Sequence, residues 1–236
     1  MCNFSKGEPA LLSYDEASTL FHEFGHALHG LLSNVTYRAV SGTNVATDFV
    51  ELPSQIYEHW LSTPQILERF AVHYETGKAM PKALIDKILK ARTFNQGFAT
   101  VEFLGSALVD MDYHALTSAD DLDVAAFEAK ALEKIGMPEE IVMRHRSPHF
   151  QHIFAGDAYS AGYYSYMWSA VLDNDGFKAF EETGNAFDPA MAKRLYEFVY
   201  SAGSTRDEAE AYRLFRGRDP KIDALIEKRG LGVAAA

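Results

Sequence analysis

Apolar residues recur at helical spacing through most of this chain. Between Ser13 and Asn34, the residues Leu20, Phe21, Phe24, Ala27, Leu28 and Leu31 follow the order of one amphipathic helical face. Ser13 with Glu16 supplies a capping box, and Gly30 and Asn34 are stop signals. The spacing returns in Ile66, Leu67, Phe70 and Ala71 after Pro64, and in Leu84, Ile85, Ile88 and Leu89 after Pro81. A break at Asn95-Gln96-Gly97 precedes Val101, Leu104, Leu108 and Met111, while Asp123 caps a helix of Val124, Phe127, Ala131, Leu132 and Ile135. Three further faces follow: Leu195, Phe198 and Val199 after Pro189; Ala211, Leu214 and Phe215; and Ile222, Leu225 and Ile226 before Gly230. Strand-like sequence is confined to two places. Residues 35–47 mix β-branched side chains with Ser41-Gly42-Thr43-Asn44 and read as a short strand and a loop, and Cys2-Asn3-Phe4 reads as a strand end. The expected fold is mainly α, one helical unit over residues 1–236, with a small β element.

Composition narrows the partners. With 47% hydrophobic residues over 236 positions, the chain has enough apolar surface for a full core. The 33 acidic against 22 basic residues give a net charge of −11, which repels nucleic acid and anionic membrane surfaces, so neither is expected as a partner. Cys2 is the only cysteine and fits a reducing compartment; with no long apolar run and no basic-then-apolar leader pattern, the cytoplasm is the expected location.

The first amphipathic stretch contains His22-Glu23-Phe24-Gly25-His26, an H-E-x-x-H pattern. On a helix the two histidines lie about 6 Å apart on one face, where a single metal can take a nitrogen from each. Glu23 sits one position round the helix, on the side where a carboxylate can relay a proton from water to a leaving amine. A catalytic zinc takes a third protein ligand. Glu51, just before Pro53 in Asp48-Phe49-Val50-Glu51-Leu52-Pro53, is the candidate, although spacing alone favours reading it as a solvated helix charge. His29 is nearer in sequence but lies roughly 7 Å along the helix axis from the midpoint of His22 and His26, too far for a metal bond of about 2 Å, which leaves it behind the ligands or in contact with substrate. Pro53 implies that its helix starts there or is kinked.

A second chemical stretch runs from Arg144 to Val171. Tyr159, Tyr163 and Tyr166 share one face if a helix already starts near Tyr159, and an aromatic stripe of that kind is ordinarily core. His73 and His114 lack a ligand-spaced companion and read as packing residues on helices. Arg206, Arg213, Arg216 and Arg218 have two readings, salt bridges to acidic helices or a fork for a peptide carboxylate.

Three collinear segments, FHEFGHALHGLLS, SGTNVATDFVELPSQIYEHW and YSAGYYSYMW, resemble the thimet oligopeptidase family of zinc metallopeptidases, closest to its bacterial peptidyl-dipeptidase branch. The resemblance runs from about Cys2 to Leu231. It implies a zincin-like helical catalytic domain with one Zn2+ per chain, held by His22, His26 and Glu51, and with Glu23 as general base. It further implies that Tyr159, Tyr166 and His152 stabilise the oxyanion, with Tyr163 a substrate contact; the F-x-H match selects His152 over His149. The implied substrates are short peptides cut to release C-terminal dipeptides. Internal cleavage, or zinc binding without turnover, are the alternatives. Family members are several times longer, and their helical N-terminal part forms the opposite wall of a substrate channel. The similarity here is to their C-terminal catalytic portion, so a complementing N-terminal chain or self-association is an expected partner.

Overall fold

A computed structural model describes Gly7, Pro9 and residues 11–232. The helices are α1 (Tyr14–Leu31), α2 (Leu52–Leu61), α3 (Pro64–Phe70), α4 (Lys82–Ala91), α5 (Gln96–His114), α6 (Val124–Lys134), α7 (Gln151–Phe154), α8 (Ser165–Glu182), α9 (Pro189–Leu195), α10 (Glu208–Arg216) and α11 (Asp223–Arg229). A π-helical turn, Tyr196–Tyr200, continues α9. No helix among the described residues is long and apolar enough to cross a membrane.

The local signals act as chemistry requires. Ser13 and Glu16 bond reciprocally, side chain to backbone N–H, at 2.8 and 3.2 Å, and so open α1. Asp123 accepts the N–H groups of Ala125 and Ala126 at 3.0 Å. Pro53 falls in the first turn of α2, where a missing N–H costs nothing, so the helix starts there unkinked and Glu51 becomes its N-cap.

The small β element is absent among the described residues, whose one β pairing is an isolated bridge between Val72 and Ala79. His73 accordingly lies in a turn rather than on a helix. In place of the strand in 35–47 there is a 3-10 turn, Arg38–Val40, followed by bends. Local turns take much of its backbone: Ser41 N–H bonds Arg38 O, Asn44 N–H bonds Ser41 O, and Ser204 N–H bonds Val40 O. These groups are lost to a ladder. The strand expected at Cys2–Phe4 lies outside the described residues.

Two apolar cores organise the chain. In the larger, Phe49, Leu52 and Ile56 meet Leu172, Phe177 and Phe180 of α8, with Val199, Tyr212 and Phe215. In the smaller, Val109 of α5 and Ala131 of α6 meet Met143, Phe150 and Ile153. Helix α1 lies across α2 and α11 lies against α8. At that last contact a polar cluster is buried: His59 Nε2 lies 2.5 Å from Asp173 Oδ1, Asn174 Nδ2 donates to the same oxygen, and the Lys228 ammonium reaches His59 Nδ1 at 2.8 Å. Burial pushes the His59 imidazolium down and the Asp173 carboxyl up, so the cluster favours shared protons over separated charges.

Candidate metal centre and tyrosine loop

The crossing of α1 and α2 brings three donors to one point. His22 and His26 stand one turn apart on α1, with ring centroids 4.9 Å apart and edge to face. Glu51 Oε2 lies 3.3 Å from His22 Nε2 and 3.2 Å from His26 Nε2. The three ligand atoms all lie within 4.8 Å of one another. Donors about 2.0–2.1 Å from one tetrahedral metal are spaced about 3.3–3.4 Å apart, so the two carboxylate distances match a shared ion.

Electrostatics agree with the geometry. Burial alone would lower the His22 imidazole, but hydrogen bonds from Glu51 and Glu58 outweigh it and raise it to about 10. Burial alone would raise Glu51, but His22, His26 and Ser54 hold it below the usual carboxylate range. The cluster therefore favours positive charge where the donors converge, and its residues fit a divalent metal. Glu23 lies on the exposed side of α1 beside His22.

His29 does not face a substrate. It is 0% exposed, lies edge-on to Tyr200 at 6.4 Å, and neither ring nitrogen has a protein partner among the described residues. Burial, then His26, pushes it down to about 4, so it is a neutral interior side chain. Of the two expected places, behind His26 or against a substrate, its burial leaves it no exposed surface for the second.

The tyrosine stretch is a loop before it is a helix. Helix α8 starts at Ser165, so Tyr159 sits in a turn closed by its N–H to Gly156 O at 3.0 Å, and the three tyrosines are not one helical stripe. The loop nevertheless gathers them. The His152 ring lies 4.9 Å from Tyr159, 5.4 Å from Tyr163 and 6.0 Å from Tyr166. Burial and then the Glu51 charge raise the Tyr166 phenol. Tyr163 takes a different position: it stacks on Phe103, meets Phe150 edge-on and packs against the smaller core. Tyr163 is half-buried there. His149 lies in the 3-10 turn Ser147–His149.

Residues 1–231 match the sequence model of peptidase family M3. The chain belongs to peptidase family M3. It is 45% identical over 239 residues to Dipeptidyl carboxypeptidase of Escherichia coli (strain K12), covering 99% of this chain and 35% of that protein. It is 39% identical over 241 residues to Oligopeptidase A of the same strain, covering 98% and 34%. Saccharolysin of Saccharomyces cerevisiae (strain ATCC 204508 / S288c) is 32% identical over 239 residues, covering 98% and 33%. The chain thus spans about a third of the length of these curated relatives.

Around this M3 centre the structure adds residues that sequence reading missed. Glu58 Oε1 lies 2.8 Å from His22 Nδ1, and its other oxygen accepts from Ser18 Oγ at 3.0 Å. A proton held on Nδ1 leaves the Nε2 lone pair for the metal. The signal was available, since Glu58 falls two turns after Glu51 on one face of α2. Glu58→Ala is expected to weaken metal binding about 10- to 100-fold, measured by competition with a chromogenic chelator. An unchanged affinity would assign Glu58 to packing alone. Asp48 joins the two halves of the site: its Oδ2 accepts from Tyr164 OH at 2.9 Å and its carbonyl from Ser169 Oγ at 3.2 Å. The arginines are engaged elsewhere, Arg218 as a fork on Asp175, Arg216 on Glu182 and Asp175, Arg213 on Asp219, and Arg206 over the Phe198 ring.

Proposed function

We propose that residues 1–236 are the catalytic portion of a zinc-dependent peptidase that cuts short peptides, chiefly by releasing C-terminal dipeptides. The observation that carries this reading is Glu51 Oε2 at 3.2–3.3 Å from both histidine Nε2 atoms, with Glu23 exposed beside them. His22, His26 and Glu51 would hold the ion, which when bound polarises a scissile carbonyl and acidifies water. Glu23 takes the proton from the attacking water and delivers it to the departing amine. Tyr159 and Tyr166 turn their phenols toward the developing oxyanion, and the His152 ring, in contact with both, donates beside them.

The preference for dipeptide release rests on the 45% identity to a protein named Dipeptidyl carboxypeptidase. Internal cleavage is the second reading, supported by the 39% identity to an Oligopeptidase A. Exposed Leu104, Leu108, Met111 and Trp168, along α5 and α8, support a further polypeptide, a complementing chain or a second copy, as partner. The single cysteine, Cys2, supports the cytoplasm as the location.

Mass spectrometry of a short free-carboxylate peptide and its amidated twin, incubated with the zinc-loaded chain, tests the reading. Dipeptide release from the free peptide alone is the expected result. Equal cleavage of both peptides would replace it with internal cleavage. Intact peptides beside bound zinc would overturn turnover by this chain.

A further inference from the structure

Asp110 is a carboxylate that the chemistry above leaves unused. It stands on α5, is 0% exposed, and its one ion-pair partner among the described residues is His114, whose Nδ1 lies 2.7 Å from Oδ1. A buried carboxylate is costly unless its oxygens are occupied. Here they are occupied by the tyrosine loop. Ala161 N–H donates to Oδ1 at 3.1 Å and Tyr163 N–H donates to Oδ2 at 2.8 Å, so the carboxylate straddles Gly162.

Turn bonds within the loop, Tyr159 N–H to Gly156 O and Gly162 N–H to Tyr159 O, close it on itself, and the bonds of Ala161 and Tyr163 tie it to α5. Residues 155–162 read Ala-Gly-Asp-Ala-Tyr-Ser-Ala-Gly, with few side chains that anchor by burial. No backbone carbonyl among the described residues takes the N–H of Ala161 or Tyr163. Ala161 is held at φ +53°, a left-handed conformation that residues with a Cβ disfavour. A conformation of that kind persists where surrounding contacts over-determine it, and Asp110 supplies them. Tyr159 lies two residues before the clamp and Tyr166 three residues after Tyr163, so the clamp sets where both emerge.

We propose that Asp110, with His114 as its partner, is a positioning residue for the reaction: it fixes the loop in the register that aims Tyr159 and Tyr166 toward the metal centre. The proposal rests on the reading of those tyrosines as oxyanion donors. His114 Nδ1 lies 2.7 Å from Oδ1 and 3.3 Å from the Ala161 nitrogen, so the imidazole braces the same side of the clamp, while Oδ2 meets Tyr163.

Asp110→Asn in the full chain tests this, with His114→Gln as a milder second variant should the first fail to fold. Zinc affinity should stay within about twofold of the parent, because the ligands sit on α1 and at the start of α2. Amide exchange at Ala161 and Tyr163 should accelerate on the order of tenfold to a hundredfold in Asp110→Asn, with α1 amides unchanged. With a short peptide, kcat should fall about 10- to 100-fold with little change in KM. Tyr159→Phe should then cost less in the Asp110→Asn background than in the parent. Unchanged amide exchange or an unchanged kcat in a folded variant overturns the proposal. Full kcat in both Tyr159→Phe and Tyr166→Phe overturns the donor reading itself, and the exchange data then identify the failure as chemical rather than structural.

Discussion

Glu23→Gln is expected to lower kcat/KM for a short peptide by about 10²- to 10⁴-fold while leaving zinc content unchanged. Glutamine keeps the size and polarity of the side chain but cannot take a proton from water at neutral pH. Glu23 is exposed on α1. It does not belong to the converging donor set of His22, His26 and Glu51. Metal analysis and peptide turnover on the same preparation check both halves of the expectation. Retained turnover would move the proton relay to another group. Lost metal would show Glu23 to be structural.

Gly25→Ala is expected to destabilise the chain by about 1–3 kcal/mol or more and to weaken metal binding at the same time. A Cβ on Gly25 would lie 2.6 Å from both Pro53 O and Ser54 Cα, which are backbone atoms and cannot rotate away. Carbon needs about 3.5 Å or more from such neighbours, so α1 and α2 must separate by a large fraction of an ångström. Metal–ligand distances tolerate only about 0.2 Å, and Glu51 enters from α2 while both histidines enter from α1. Gly30→Ala is the matched control, since its Cβ meets nothing within 4 Å. Thermal unfolding with and without zinc should separate the two variants. If Gly25→Ala kept the parental midpoint and zinc response, the close approach of the helices would not be what aligns the ligands.

The contrast between these glycines also shows what the sequence could convey. Periodicity and caps placed α1, and with it His22, Glu23 and His26 on one helix, because both act within a few residues. Glu51 was ambiguous by spacing and was resolved by resemblance, since its partners lie a loop away on α1. Asp110 was invisible for the same reason, since it bonds a loop some fifty residues ahead, and Glu58, though spaced two turns from Glu51, showed its role only through the bond across to α1. The false helical stripe of Tyr159, Tyr163 and Tyr166 had a local cause and a distant correction. Their spacing suits a helix, but Asp110 captures the N–H groups of Ala161 and Tyr163 and keeps that turn out of helical geometry. His29 fitted the face of the metal ligands yet points inward, because α1 is covered on that side by Tyr200.

The cluster of His59, Asp173 and Lys228 gives the far end of the chain a stake in the chemistry. His59 follows Glu58 directly on α2, and its imidazole is sealed by α11 through Lys228. Trimming the chain before Asp223 would hydrate His59 and Asp173, free α8 to shift, and loosen the helix that carries Glu51 and Glu58. Cleavage just before α11 would thus unsettle the crossing of α1 and α2 without touching His22, His26 or Glu51.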